Sequence, residues 1–132
     1  MIEIVDILIL IFAHFWADFV VQTRSMAKMK SKSVKYLTLH VLAYSLMFLA
    51  ILFVAHPLLM ITGYKTIILF VSFNFVMHWM TDYVSSKVSS ACHVKHQETK
   101  DGAWEHLFWV VIGFDQLIHM VTLFLSYYSF NQ

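Results

Sequence analysis

Cysteine is nearly missing from this chain. The single Cys92 excludes an intramolecular disulfide and any cysteine-rich metal site. Charge is scarce as well: charged residues make up 13% of 132 residues and hydrophobic residues 60%. That balance is too apolar for an ordinary soluble domain of this size. The net charge is only +1, so nothing marks a nucleic-acid binder. Apart from Lys65 at the outer edge of the third, no lysine or arginine falls inside the long apolar runs. The first of these runs lacks a basic start and a small-residue cleavage site, so it reads as a span and not as a signal peptide.

Four runs approach the roughly 20 apolar residues that a helix needs to cross a bilayer. They cover about 4–22, 37–56, 64–84 and 106–128. The expectation is one integral membrane domain over residues 1–132, an all-α bundle of four transmembrane helices. Eight of the nine basic residues lie between runs one and two or between runs three and four, and only Lys65 lies elsewhere. By the positive-inside rule, loops 23–36 and 85–105 then face the cytoplasm of a bacterial inner membrane, with both termini outside. His56-Pro57 and Gly63 bracket a short outer turn. Loop 85–105 is polar and reads as a lid or a short interfacial helix.

One phrase occurs twice. His14-Phe15-Trp16-Ala17-Asp18-Phe19-Val20 returns as His78-Trp79-Met80-Thr81-Asp82-Tyr83-Val84. The copies begin the two helical hairpins, and their helices run the same way, a parallel repeat unlike the inverted repeats of many transporters. Residues four apart share a helix face. Run one therefore offers His14 and Asp18 together, and run three His78 and Asp82. Run four offers Asp115 and His119, the same pair reversed, at a slightly deeper level. Run two offers His40, with Tyr36 and Tyr44 one turn to either side.

A carboxylate near a helix centre costs about 2.5–3.5 kcal/mol on insertion scales. Three are tolerated here without a basic partner in the spans. Protonation, a bound cation or a loop residue such as Arg24 folding inward can compensate them. Carboxylate with imidazole is a usual ligand set for zinc, manganese or iron, and helical bundles present it in their cores. A lone histidine in a span is more often a packing residue. The set His14, Asp18, His40, His78, Asp82, Asp115 and His119 reads instead as a cation or catalytic site. Some of these carboxylates can serve as outer partners that orient a liganding histidine. Gln22 and Asn74 read as helix–helix hydrogen bonders, His56 as an interfacial cap, and His93, His96 and His106 as loop or boundary residues. Trp16, Trp79, Trp104 and Trp109 read as interfacial anchors.

With His14 to Gln22, His40, His78 to Asp82 and Asp115-Gln116-x-x-His119, the chain resembles a family of small bacterial and phage membrane proteins, domain of unknown function 3307. The resemblance covers nearly the whole chain and brings no established reaction. It extends more loosely to membrane-bound metal-dependent hydrolases.

The functional expectation is a membrane-embedded metal-dependent hydrolase acting on a lipid or lipid-linked phosphate or ester at the cytoplasmic leaflet. One or two divalent ions, zinc ahead of manganese or iron, would sit among the histidines and aspartates, with Asp18 or Asp82 as general base. Membrane lipids are the expected partners. The alternatives are a proton or metal-ion carrier or channel, and a non-catalytic regulator bound to a host membrane protein. Four spans are few for a carrier, which leaves room for a homo-oligomer. A bis-histidine haem would strand the aspartates without partners.

Overall fold

Helices account for nearly all of the chain. The computed structural model describes residues 3–61 and 63–132, and no strand occurs among them. Helix α1 covers Ile4–Phe15 and continues into one π-helical turn, Trp16–Val20. A short α2, Arg24–Met29, follows, with Thr23 Oγ1 accepting from the Met26 N–H at 3.2 Å. Helix α3, Val34–Ala55, ends in a 3-10 turn at His56–Leu58, where Pro57 starts the reversal. Gly63 has φ of +84°, a left-handed value that favours glycine, and it releases α4, Tyr64–Thr99. Helix α5 is Gly102–Phe130.

Two sequence expectations change. The described residues contain three helices long and apolar enough to cross a membrane, Val34–Leu58, Tyr64–Thr99 and Gly102–Phe130, and not four. The first run stops at 12 α-helical residues and five π-helical ones. At 1.5 Å per residue that is roughly 25 Å, short of a hydrocarbon core of about 30 Å. The π turn and the Thr23 cap end it before Gln22 can extend it.

The second change is loop 85–105, which is helical almost throughout. Helix α4 runs 36 residues without interruption, since neither proline nor glycine breaks it. Its polar residues there are a helix's solvated face, while Ser86 and Cys92 stay buried. Lys100, with φ of +58°, donates its N–H to His96 O and stops the helix. Asp101 then caps α5 by accepting from the Ala103 N–H at 2.9 Å. The α4–α5 turn is therefore two residues long, and the pair forms a long antiparallel hairpin.

Cross-helix contacts fix the directions. Asp6 of α1 meets the α3–α4 turn and the far end of α5, through Met60 and Tyr127. At the other end Asp18, His40 and Asp82 converge. Helices α1 and α4 are thus parallel, as the repeat requires. Between the two ends lies an apolar layer. Tyr44, Phe48, Phe70 and Tyr127 pack ring against ring with centroids 5.5–6.1 Å apart, among the fully buried Leu10, Leu52 and Ile67. Asn74 donates to Ser126 Oγ at 3.0 Å and links α4 to α5, the bridging role its position suggests.

The Asp6 contact has no counterpart in the sequence reading. This carboxylate is fully buried. It accepts from the Glu3 N–H, the Met60 N–H and the Tyr127 hydroxyl at 3.0, 3.0 and 2.7 Å. Tyr127 Oη in turn accepts from the Ile61 N–H at 3.3 Å. Asp6→Ala leaves buried donors without an acceptor and should cost about 1–3 kcal/mol per donor not rehydrated. A thermal unfolding curve in detergent should show the lowered midpoint; an unchanged midpoint would mean the contact contributes nothing.

Candidate metal centre

Each helix delivers its side chains to the centre by simple spacing. His14 and Asp18 are one turn apart on the α1 segment, with Nε2 to Oδ2 at 3.7 Å. His78 and Asp82 repeat that distance on α4, Nε2 to Oδ2 again 3.7 Å. His119 and Asp115 are one turn apart on α5, 3.4 Å between Nε2 and Oδ1. His40 comes from α3. All four histidines, with Asp18 and Asp82, are at most 5% exposed. Asp115 is 12% exposed.

The seven predicted residues do gather in one place, in two grades of closeness. Asp18, His40 and His78 form one buried set whose ligand atoms lie within 4.8 Å of one another, and His78, Asp82 and His119 form another. His14 and Asp115 lie beside these sets. Both ring nitrogens of His14 are engaged, Nδ1 with Tyr44 Oη and Nε2 with Gln116 Oε1, each at 3.2 Å. The Ser85 hydroxyl and the Gln116 amide both donate to Asp115. Asp115 is one turn nearer the α4–α5 turn than Asp82, not deeper. The continuous α4–α5 hairpin sets His119 opposite Asp82 (3.3 Å) and Asp115 opposite Ser85.

The first set has the dimensions of a coordination shell. Asp18 Oδ1 is 3.1 Å from His40 Nε2 and 3.4 Å from His78 Nε2, and the two nitrogens are 3.4 Å apart. A tetrahedral ion with bonds of about 2.0–2.2 Å separates its ligand atoms by about 3.3–3.6 Å. Asp82 Oδ2 lies beside this set, 3.2 Å from His40 Nε2 and 3.7 Å from His78 Nε2, and is bonded to Lys30. Asp18 Oδ1 is moreover buried with no hydrogen-bond partner. The neighbouring ring nitrogens are near enough but off the line that a hydrogen bond needs. An unsatisfied carboxylate oxygen facing two imidazole nitrogens is costly as it stands, and a cation among them removes that cost. The two sets share His78, which turns Nε2 toward both carboxylates. One nitrogen lone pair serves one ion, so the two sets cannot both be filled through His78.

The ring planes are held from outside. Tyr44 stacks on His78 at 4.1 Å between centroids, and His78 stacks on His119 at 4.0 Å. The Gln22 side-chain amide contacts His40 Nδ1 at 3.1 Å; for Nε2 to ligate, it is the amide oxygen that must face Nδ1–H.

Three supporting features were not foreseen. Gln116 joins α5 to α1: its carbonyl faces His14 and its amide donates to Asp18 Oδ2 and Asp115 Oδ2, both at 3.2 Å. Its place beside Asp115 in the family motif was the one signal for it. Lys30, beyond α2, reaches in to bond Asp82 Oδ2 at 2.9 Å. A loop cation therefore does fold inward, and it is Lys30, where Arg24 had been the example. The third is the π turn, which carries Asp18; π turns are rare and concentrate at functional sites.

The charges do not balance. Three carboxylates face one ammonium, Lys30, among four imidazoles. Two negative charges remain for imidazole protons or one divalent ion to cancel. Fold and centre together define a small apolar helical bundle with a buried His/Asp site able to hold a metal ion. The family described as "Protein of unknown function (DUF3307)" matches residues 7–132, and the chain belongs to it. No curated protein and no solved structure matches the chain.

Elemental analysis of the detergent-purified protein should find one divalent ion per chain. Asp18→Asn and His78→Ala should lose it, while His93→Ala, outside both sets, should keep it. Metal-free wild type, or retention by His78→Ala, would remove the metal assignment.

Proposed function

We propose that this protein is an integral, multi-pass protein of the bacterial inner membrane that hydrolyses a lipid or lipid-linked phosphate or ester at the cytoplasmic leaflet, using one bound divalent ion. The observation that carries this reading is the unsatisfied Asp18 Oδ1 facing His40 and His78 at the edge-lengths of a coordination shell. Nitrogen and oxygen donors without thiolate suit zinc, and also manganese and iron. Three protein donors with a fourth position open are the pattern of catalytic sites, where structural sites are closed. A bound ion would supply Lewis acidity and a water acidified toward neutral pH.

The remaining residues divide the other tasks. Asp18, His40 and His78 hold the ion. Asp82 is the general base: its Oδ2 lies beside the ligand set and takes a proton from water, and its carboxylate is held by Lys30 and His119. Water's oxygen bonds to the phosphorus or acyl carbon, the ester bond breaks, and the leaving oxygen takes a proton. Lys30 reaches from Asp82 toward the adjoining cleft, where its charge favours an anionic substrate. His14 and Gln116 orient Asp18.

A proton or metal-ion carrier uses the same residues differently. Two protons on the imidazoles would cancel the charge deficit as well as one metal ion does. Proteoliposomes separate the readings, because a carrier passes ions down a pH or metal gradient and a hydrolase does not. A non-catalytic regulator would keep its function in the ligand variants.

Chelator should abolish release of product from a lipid phosphate or ester, and the matching metal should restore it. Asp82→Asn should lower turnover about 10²–10⁴-fold, the usual contribution of a positioned base, with metal content unchanged. Full activity in that variant would reject Asp82 as base. For topology, Lys65→Cys and Lys95→Cys in a Cys92→Ala background should label oppositely with a membrane-impermeant maleimide. Lys65→Cys should react in intact cells and Lys95→Cys after permeabilisation; the reverse would invert the orientation.

A further inference from the structure

Two cavities meet beside the centre, and they differ in chemistry. One, of about 450 Å³, is a polar cleft between the α1 π turn, α2, α4 and α5. Its lining includes Lys28, Lys30, Ser86, Ser89, Ser90 and His93, and it reaches Asp18 and Gln116 of the centre. The other, of about 540 Å³, is an apolar groove on the outer face of the α4–α5 hairpin, lined by Met77, Met80, Val84, Val88, Phe114 and Ile118. Both volumes suit a small amphiphile. Ser85, Val111 and Asp115 belong to both linings, so groove and cleft adjoin at the Ser85–Asp115 pair. An ordinary lipid-facing groove has no carboxylate in its wall. This one has Asp115, with Ser85 bonded to it.

The cleft is equipped for an anion. Lys28 and Lys30 both line its wall, Lys30 being paired with Asp82 as well. Ser86, only 7% exposed, has a hydroxyl with no hydrogen-bond partner. A buried hydroxyl without a partner is rare in a settled interior, and this residue lines the cleft.

Resting on the hydrolase reading above, we infer that the substrate is an anionic phospholipid that enters sideways from the bilayer. Its acyl chain occupies the α4–α5 groove, and its phosphate is held in the cleft by Lys28, Lys30 and Ser86. The Ser85–Asp115 pair marks the junction between chain and headgroup. This geometry brings the phosphate to the metal centre without drawing the tail out of lipid. It also explains why polar side chains stand on α4 and α5 at the hairpin's lipid-facing surface.

The test uses the full chain reconstituted in phosphatidylcholine vesicles with a phosphatidic-acid analogue carrying a diazirine in its acyl chain. After illumination, peptide mapping should place the label on Met77, Met80, Val84 or Phe114. Unlabelled phosphatidic acid should compete, while added phosphatidylcholine and inorganic phosphate should not. Val84→Trp fills the groove and should remove the label. It should also cut hydrolysis of phosphatidic acid at least about tenfold, the scale of one lost anchoring contact, and leave a soluble phosphate monoester without an acyl chain untouched. Leu125→Trp, equally lipid-facing but outside the groove, should change neither. Lys28→Ala should weaken labelling about tenfold, as expected for one charge-assisted contact.

Label spread evenly over the outer helix faces would overturn the proposal. Equal competition by phosphatidylcholine or by inorganic phosphate, or an equal effect of Val84→Trp on both esters, would also overturn it. If wild type hydrolyses neither ester while groove labelling stays specific for phosphatidic acid, the hydrolase reading fails and the lipid site stands.

Discussion

Carboxylates buried in an apolar bundle must be compensated, and one end of this molecule is organised around that demand. Removing an ion from water costs several kcal/mol even after relaxation. Asp18 and Asp82 are almost wholly buried. The answer comes from every helix: imidazoles from α1, α3, α4 and α5, an amide from Gln116, and an ammonium carried in by Lys30. The segment after α2 thereby gains a structural reason to fold back against the bundle. Its basic charge, which marks a topology signal in sequence, is also an internal counter-ion.

The opposite end solves a similar problem differently, and the contrast is informative. Asp6 is just as buried, yet backbone N–H groups and one tyrosine hydroxyl satisfy it. Hydrogen bonding alone can therefore stabilise a buried carboxylate in this chain. The centre uses four imidazoles whose nitrogens crowd one another, with Nε2 of His40 and His78 3.4 Å apart. At most one of those two nitrogens can donate to the other. One ion can take the lone pairs of both, an arrangement that hydrogen bonding between them does not need.

What could be read in the sequence follows helical geometry. The pairs His14/Asp18, His78/Asp82 and Asp115/His119 obey four-residue spacing, so their faces and their convergence were legible. His40 stood out as the one histidine inside its run, His56 lying at the outer turn. Lys30 was not legible, because a flexible side chain beyond a short helix leaves no periodic trace. Gln116 was hidden by adjacency: next to Asp115, it points off the shared face and still bridges to α1. The extension of α4 past Val84 was masked by composition. Polar residues at helical spacing look like a loop when apolar content is the criterion, and the missing glycine and proline were the better guide. The short first helix turned on a π turn, which no residue pattern announces.

The repeat itself takes on a different meaning in three dimensions. The two phrases give equal pairs, each with imidazole and carboxylate 3.7 Å apart, yet their surroundings differ. Asp18 lies on a π turn, borders the polar cleft, and keeps one oxygen free of any hydrogen bond. Asp82 lies on a regular helix away from the cleft, with Lys30 on one oxygen and His119 on the other. Identical local chemistry in unequal environments is how one site obtains two roles from two carboxylates. The free oxygen of Asp18 suits a ligand, and the supported carboxylate of Asp82 suits a group that gains and returns a proton. That inequality comes from Lys30, Gln116 and the π turn, features outside the repeated phrase, so the phrase supplies the donors and the rest of the fold divides their work.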